Sequence, residues 1–568
     1  MRNVEVAWVL AEMADLMEIL GENIYKIRAY RKGAQSIENL EEDINQLNST
    51  GQLEKVDGIG KKLANNIREL LTTGTFPEYE EIKQRVPRGL LNFLAIPGLG
   101  PKSVQLIYQH LGITSLDELE EAARSRKIRQ LPGMGSKTEL AILRGIDLLR
   151  NQGARVTLGI ADPIAEELTG YLSTLPDVER VSITGSLRRR QELVGDIDLL
   201  VASTKPARVR EVFVKHPLIQ EIVYEEGDRL VVLTTGGARC ELLLVAPAQF
   251  FPTLLWSTGS KGHYQALQQI ALEQGSGLDL TGLGGMAPKE WQSEEDIYRQ
   301  LGLDYIPPEL RENRGEIEAA RRGQLPDLLE LEHIRGDLHV HTDWSDGVHS
   351  LEEMAEAAQH RGYEYLAITD HSKSLAISRG LNEERLMYQR IKIEKLNEEF
   401  KDFRLLSGIE VDILSNGALD FSDDVLCDLD VVIASVHTGF KQEREQLTER
   451  VVAALKNEHV DILAHPTGRL LGRREPYALD VERVLEVARQ TGTILEINAS
   501  PDRLDLGDAH CRQAKNLGIT MAINTDAHDW RRFDDMKYGV ATARRGWLTK
   551  EDVLNTLPLD KLLKRLGR

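Results

Sequence analysis

The stretch GDLHVHTDWSDG, residues 336–347, sets His339 and His341 at alternate positions of an apolar run and follows them with Asp343 and Asp346. In an extended strand alternate residues face the same way, so the two imidazoles share a side. A His-x-His pair alone fits a packed core as well as a metal site. Beyond about residue 333, apolar runs of strand length recur as YEYLAITDH, FRLLSGIEVDI, LDVVIASVHTGF, HVDILAHPTGR, GTILEINAS and GITMAINTDAH, with amphipathic segments such as LNEERLMYQRIKIEKLNEEF between them. That alternation predicts a parallel sheet closed into a barrel, whose strand ends meet on one rim. Nearly every run ends in a potential ligand: His371 beside Asp370, Glu410, His437, His465, Asp526 and His528. With His339, His341 and the returning Asp346, nine side chains are expected at one metal centre. The mixture of imidazole and carboxylate suits manganese, zinc or iron better than calcium. Arg469, Arg473 and Arg474 in HPTGRLLGRREP fit a grip on substrate phosphates and fit a surface salt-bridge cluster equally well.

At 568 residues the chain is expected to divide into three or more domains. With 41% hydrophobic and 28% charged residues it reads as globular, which excludes fibrous and disordered classes. No run of about 18 apolar residues appears. The N-terminal residues mix acids into an amphipathic pattern unlike a signal peptide, so a cytoplasmic chain without membrane contact is expected. Cys240, Cys427 and Cys511 stand far apart in apolar settings and read as buried thiols. The formal charge of −20 argues mildly against a general affinity for polyanions and leaves room for a local basic groove.

Residues 1 to about 150 read as short helices broken by glycine turns. VDGIGKKLANNI, IPGLGPKSVQLI and LPGMGSKTELAI share a hydrophobic-x-Gly-hydrophobic-Gly turn that opens a helix, the helix-hairpin-helix pattern. The pairs Gly58 and Gly60, Gly98 and Gly100, and Gly133 and Gly135 permit the tight turn, and the N–H groups at each helix start then face outward for a phosphate. Lys62, Lys102 and Lys137 add charge without reading a base. Three copies predict binding to nucleic-acid backbone. Upstream, NIYKIRAYRKGAQSI gathers Lys26 and Tyr30 with further basic residues, which suits a solvated helix face or a strand-end phosphate pocket.

From about 151 to 245, VERVSITGSLRRRQELVGDIDLLVAS carries Gly185 and Ser186 and, ten residues after the serine, Asp196 and Asp198 on an apolar strand. Two carboxylates on one strand face repel unless a cation lies between them, and magnesium bridging them to a triphosphate satisfies both. Gly185 and Ser186, with Arg188 and Arg189 behind them, are placed to grip leaving phosphates. Two-metal phosphoryl transfer uses a further carboxylate, and DRLVVLTTGGARCELLLVAP offers Glu241.

Through these segments, WSTGSKGHYQAL and SEEDIYRQLGLDYIPPELREN, residues 1 to about 315 resemble a family X DNA polymerase, the group containing DNA polymerase beta. The resemblance implies a multidomain chain. An α-helical N-terminal helix-hairpin-helix region comprises a DNA-binding domain at 1–80 and a fingers-like domain at 81–150. An α/β nucleotidyltransferase palm at 151–245 and a thumb at 246–315 follow. It implies that Asp196, Asp198 and Glu241 hold catalytic Mg2+ or Mn2+, and that Gly185, Ser186, Arg189, Thr258, Gly259 and Ser260 bind the nucleotide. Lys26, Tyr30 and Lys62 match the family's 5'-phosphate pocket. Asn66 stands where lyase-competent members carry the Schiff-base lysine, and an amide forms no imine. Glu241 replaces the usual aspartate; its extra methylene shifts a ligand by about 1 Å, which predicts slow or manganese-dependent polymerisation. Ser257, Tyr264 and Gln268 also depart from the family's residues around nucleotide and template.

After a linker at 316–332, residues 333–568 resemble a PHP (polymerase and histidinol phosphatase) domain with every ligand position filled. That resemblance implies a distorted (β/α)7 barrel holding up to three Mn2+, Zn2+ or Fe2+ ions and hydrolysing phosphoesters. The expected function is a gap-filling DNA repair polymerase fused to a metal-dependent 3'-5' exonuclease. Its expected partners are gapped, nicked or 3'-recessed DNA and deoxynucleoside triphosphates, and it is expected to act as a monomer. The alternative is a DNA-end-processing nuclease whose polymerase core serves mainly as a DNA-binding platform.

Overall fold

Apolar residues at helical spacing make every described element of the first compact unit, Met1–Ala154, a helix. The computed structural model describes residues 3–38, 44–56, 58–87, 89–94, 96, 99–135, 138–140, 142–143, 146, 155–284, 291–375 and 378–567. Helix Asn3–Leu20 packs along helix Ile24–Glu38, and Leu10, Met13, Leu63 and Ile67 share their core. Helix Lys61–Thr73 starts from an extended Gly60 and ends on the left-handed Gly74. Helix Pro101–Leu111 repeats the device from Gly100 to Gly112, with proline in its first turn.

The second unit, Arg155–Arg568, opens with helix Leu158–Ser173, which precedes a five-stranded sheet. Its strands are β1 (Arg180–Ile183), β2 (Ile197–Ala202), β3 (Ile219–Glu226), β4 (Arg229–Thr234) and β5 (Arg239–Val245), in the spatial order β1-β2-β5-β4-β3. Only β2 and β5 run parallel, and their register sets Asp198 opposite Glu241. Asp196 precedes β2 by one residue instead of lying within it, because pairing with β5 begins at Ile197 opposite Cys240.

Helices Phe250–Thr258, Lys261–Glu273 and Glu294–Gln300 build the next layer around Leu255, Leu267 and Tyr298. Glu294, 4% exposed, joins it to the palm by accepting from Arg311 at 2.6 Å and Arg188 at 2.5 Å. The segment 316–332, read as a linker entered through the helix GEIEAARRGQLPDLL, does begin with a helix, though a shorter one. Helix Glu316–Arg321 buries Glu316, Ile317 and Ala320, and Glu316 accepts the backbone N–H groups of Asn313 and Arg314 at 2.7 and 2.6 Å and lies 2.7 Å from His263 Nδ1. Leu328 enters the same core beside Trp547, since the segment carries enough apolar side chains to be drawn into it.

Seven parallel strands follow in chain order: β6 (Gly336–Val340), β7 (Tyr365–Ile368), β8 (Arg404–Asp412), β9 (Val431–Ser435), β10 (Ile462–Leu463), β11 (Ile494–Asn498) and β12 (Met521–Asn524). The ends meet where the His341 N–H donates to Ala527 O at 2.9 Å, beside a bridge from Val340 to Ala527, so the barrel is nearly closed. These strands are buried on both faces, so β9 reads as a continuous apolar run, while the polar residues that alternate in β6 and β11, Asp337 and His339 and then Glu496 and Asn498, are themselves buried. Leu504 and Tyr538 of the barrel region enter the palm core, so these layers form one unit. Cys240 and Cys511 are buried; Cys427 is exposed, because it caps the short helix Asp423–Leu426 at the surface. Among the described residues no helix is long and apolar enough to cross a membrane.

Burial raises the pKa of Glu294, but Arg311 and Arg188 outweigh it and hold it at about 2. Glu294→Ala strands two cations and is expected to cost about 3–5 kcal/mol at neutral pH, read as an earlier unfolding transition in urea. The wild-type contribution is complete above the ordinary value of 4.5 and is lost as pH falls through about 2. The deficit of the variant should therefore shrink across that window, and a deficit unchanged down to pH 2 contradicts the assignment.

Candidate metal centres

All nine expected barrel ligands come together at the ends of strands. His339 lies in β6 and His341 just after it, Glu410 lies in β8, and His371, His437, His465 and Asp526 follow β7, β9, β10 and β12. Among the described residues three groups of donor atoms are close enough to share a cation: His341, Asp346, His371 and His528; His339, His341 and Asp526; and His371, Glu410 and His437. His465 joins through Glu410, its Nε2 standing 3.2 Å from Oε1.

The donor set fits cations on the evidence of its own unmet needs. His339 Nε2, both ring nitrogens of His341, His371 Nδ1 and Glu410 Oε2 are buried without hydrogen-bond partners. Orphaned buried polar atoms are costly, and those gathered in these donor groups call for ligands that satisfy them. His465 and Asp526 adopt left-handed φ values of +27° and +53°, a strain that persists where surroundings over-determine a side-chain direction. Burial alone would lower the pKa values of His339 and His371, yet the surrounding carboxylates, Glu496 and Asp526 for one and Glu410 and Asp346 for the other, raise both well above the ordinary imidazole value. His341, buried between His528 and His371, is pulled down to about 3.

Two further carboxylates, which the sequence reading passed over, orient these rings. Glu496, wholly buried on β11, lies 2.7 Å from His339 Nδ1 and accepts from His465 N at 2.7 Å and Asn524 Nδ2 at 3.0 Å. Asp412 lies 2.7 Å from His437 Nδ1. Each leaves Nε2 of its histidine facing the cluster. The signal was present as acidic residues inside apolar strands, LEIN and IEVD. Asp370 is an anchor and not a ligand: it accepts from Thr342 N at 2.8 Å, Thr342 Oγ1 at 2.6 Å and Ser345 Oγ at 2.5 Å, folding the loop that returns Asp346. Gly347 closes that loop against the Thr342 backbone, where any Cβ would collide.

Around Asp198 a second cluster lines a cleft with Thr184, Arg189, Asp196, Glu241, Trp256, Ser257, Gly259, Ser260, Tyr264 and Gln268. Burial, then the charges of Glu241 and Asp196, push the Asp198 carboxyl up to about 7, so these groups suit a cation between them. As the side chains stand, Glu241 turns to Arg229 at 2.6 Å, and the three carboxylates do not form a further donor group. Gly185, with φ +63°, lies where a Cβ would collide with the Asp198 carboxylate, which explains the glycine before Ser186. Arg188 is taken up by Glu294 and Thr258 Oγ1, and Arg189 by Glu312 at 2.9 Å and Thr258 O at 2.6 Å, although Arg189 still lines the cleft. Ser260 Oγ caps helix Lys261–Glu273. Trp256, 45% exposed beside Ser257, was not foreseen as a cleft aromatic.

In the first unit Lys26, Tyr30, Lys62 and Asn66 converge on the carboxylate of Glu78. Tyr30 OH and Lys62 Nζ donate to it at 2.9 Å, Asn66 Nδ2 at 3.3 Å, and Lys26 Nζ lies 3.7 Å away. Burial opposes its ionisation, but Lys62 and Tyr30 hold its pKa below the ordinary value. The pocket expected for a 5'-phosphate thus contains an acidic side chain that the sequence reading missed. Gly58 and Gly133 take φ values of +79° and +76°, and Lys102 is exposed near the start of its helix. Gly98 and Lys137 lie outside the described residues, and Gly135 lies just before them. Arg469 does not face the barrel centre: it pairs with Glu192 of the palm at 2.5 Å, because the two layers pack there. Arg473 is exposed in the turn closed by Leu470 and Arg474.

If Glu496 orients His339, Glu496→Gln should weaken metal retention by about 10- to 100-fold, measured as bound Mn2+ after dialysis at graded concentrations. Unchanged retention would remove that role.

Comparison with known proteins gives matches to a helix-hairpin-helix domain over residues 1–76, a SAM-like helix-hairpin-helix tandem over 90–147, a DNA polymerase beta thumb over 253–312 and a PHP domain over 337–500. A DNA polymerase/3'-5' exonuclease PolX of Bacillus subtilis (strain 168) is 40% identical over 573 residues, covering 100% of both chains. Probable phosphatases of Thermoanaerobacter sp. (strain X514) and Acetivibrio thermocellus are each 30% identical. The first match covers 39% of the chain and 89% of that protein, the second 34% and 78%. Matched at such identity over its whole length, the chain belongs to the PolX family, the family X DNA polymerases that carry a C-terminal PHP domain.

Proposed function

We propose that the protein is a DNA polymerase that fills short gaps during repair, joined to a metal-dependent 3'-5' exonuclease in its barrel. The observation that carries the reading is the presence of two separate clusters in one unit, the histidine and carboxylate donor groups of the barrel and the crowded carboxylates around Asp198. The whole-length relative named for both activities favours this over a polymerase core that only holds DNA. Residues 1–80 and 81–150 hold the DNA backbone, 151–245 and 246–315 form the palm and thumb, and 333–568 form the nuclease. The chain acts as a cytoplasmic monomer on gapped, nicked or 3'-recessed DNA.

In the palm, Asp196, Asp198 and Glu241 hold Mg2+ or Mn2+, which when bound neutralises phosphate charge and favours the ionised 3'-hydroxyl. The primer's 3'-oxygen attacks the α-phosphorus of a deoxynucleoside triphosphate, a P–O bond forms, and the bond to the β-phosphate oxygen breaks to release pyrophosphate. Ser186, Arg189 and the turn Thr258, Gly259 and Ser260 lie along the triphosphate, with Arg189 steadied by Glu312. Trp256 and Tyr264 offer rings to the sugar and base.

In the barrel, His339, His341, Asp346, His371, Glu410, His437, His465, Asp526 and His528 hold up to three Mn2+, Zn2+ or Fe2+ ions, which when bound supply an activated water and stabilise the leaving oxygen. Water adds to the last phosphorus and the bond to the preceding 3'-oxygen breaks. That oxygen takes up a proton, and a nucleoside 5'-monophosphate leaves. Glu496 and Asp412 keep His339 and His437 in the tautomer that presents Nε2.

A 3'-recessed duplex incubated with Mn2+, with and without nucleotides, separates the two centres. Asp196→Ala plus Asp198→Ala is expected to lower extension at least about 100-fold and spare degradation. His339→Ala plus His341→Ala is expected to do the reverse. Loss of both activities in either double variant counts against separate sites.

A further inference from the structure

Arg469 pairs with the palm at one end and holds a loop of the nuclease at the other. Beyond Glu192, its Nε donates to Arg503 O at 2.9 Å and its Nη2 donates to Leu504 O. Those carbonyls belong to a turn just after β11, in which Arg503 N and Leu504 N donate to Ser500 O at 2.8 and 3.0 Å and Ser500 N donates to Asn498 Oδ1 at 3.1 Å. A residue fixed by both its own turn and a neighbouring guanidinium has a well-defined side-chain origin.

From that origin Arg503 reaches the rim of the barrel centre. Its Nε stands 3.8 Å from Asp526 Oδ2, while Oδ1 of the same carboxylate faces His341 Nε2 at 3.1 Å and His339 Nε2 at 3.6 Å. The contact is too long for a hydrogen bond, and it is the only ion pair of Arg503 among the described residues. The side chain is 20% exposed, so it is neither solvated freely nor satisfied. Arg474 stands close by, its Nε on Gly468 O at 2.9 Å and its guanidinium 4.6 Å from the Phe440 ring centre, with no carboxylate in ion-pair contact among the described residues. Burial, then the charge of Arg503, lowers the pKa of Arg474. At the edge of the metal-ligand cluster Arg503 makes one long ion pair, and Arg474, which feels its charge, makes none among the described residues. An anion with several acceptor oxygens relieves their repulsion and fills their unused donors, which a guanidinium does bidentately for phosphate.

We infer that Arg503, with Arg474 beside it, grips the non-bridging oxygens of the DNA phosphodiester presented to the barrel centre, and that Arg469 positions Arg503 through its turn. The inference rests on the nuclease reading of the barrel. It moves the phosphate grip from Arg469, where HPTGR suggested it, to the loop after β11, and makes the palm a brace for it.

Arg503→Ala, Arg503→Lys and Arg469→Ala in the full chain test this, by degradation of single-stranded DNA with Mn2+, metal content after dialysis, primer extension, and affinity of the metal-stripped chain for a thymidine trinucleotide. Arg503→Ala is expected to raise the KM for degradation about 10- to 100-fold with a smaller change in kcat, to weaken trinucleotide binding, and to leave metal content and extension unchanged. Arg503→Lys should recover part of the KM loss, and Arg469→Ala should raise KM to a smaller extent with metal retained. Unchanged KM and trinucleotide affinity in Arg503→Ala, or a KM loss that follows loss of bound metal, overturns the inference. Should the unmodified chain degrade no DNA, the nuclease reading fails, and the trinucleotide affinity still decides whether Arg503 holds a phosphodiester.

Discussion

One wholly buried carboxylate organises the barrel. Glu410 stands within 3.6 Å of ring nitrogens of His339, His341, His371, His437 and His465. Burying an ionised carboxylate costs several kcal/mol unless compensating charge is close. Imidazolium groups supply part of it, holding Glu410 well below its ordinary pKa against burial. They then repel one another, and burial together with the charges of His528 and His371 depresses His341. Divalent cations end both conflicts at once, and the loop anchors Asp370 and Gly347, the strained Asp526 and His465, and the orienting Glu496 and Asp412 all become intelligible as fittings around them.

The palm obeys the same logic with fewer groups. Asp198 and Glu241 face each other because β2 and β5 run parallel in register, and the crowding lifts the Asp198 carboxyl to about 7. Here a basic residue intervenes: the longer side chain of Glu241 reaches Arg229. The two centres are mechanically joined. Glu312 accepts from Arg189 of the palm cleft and from Arg545 of the barrel region, which also donates to Asp508. Arg469 makes a second tie through Glu192. Such half-buried, charge-assisted contacts bind the polymerase and nuclease layers into one unit.

Much of this was legible in the sequence, and the reasons are physical. Parallel strands in chain order deliver their last residues to one rim, so a ligand at nearly every run end could be read without knowing the fold. Period-two spacing likewise fixed the shared face of His339 and His341. What stayed hidden depended on contacts between distant segments. Arg469 fitted a phosphate grip and a salt bridge equally well because nothing local reveals Glu192, 277 residues away. Glu78 carries no local sign that Lys26, Tyr30, Lys62 and Asn66 will close around it. The segment 316–332 looked like a linker because its charged residues, Gly323 and Pro326 break up apolar residues whose core lies elsewhere. Glu496 and Asp412 were readable in principle, as acids within largely apolar strands, but nothing local shows that they face His339 and His437.

The number of cations the barrel binds tests the central claim most directly. In an Asp196→Ala plus Asp198→Ala chain, which removes the palm's pair of aspartates, metal-stripped protein is titrated with Mn2+ and the ions retained are counted. The three donor groups should hold about three per chain, and Glu410→Gln should abolish most of that retention. Retention of one ion or none, or retention indifferent to Glu410→Gln, would mean that buried histidines and carboxylates neutralise one another without metal.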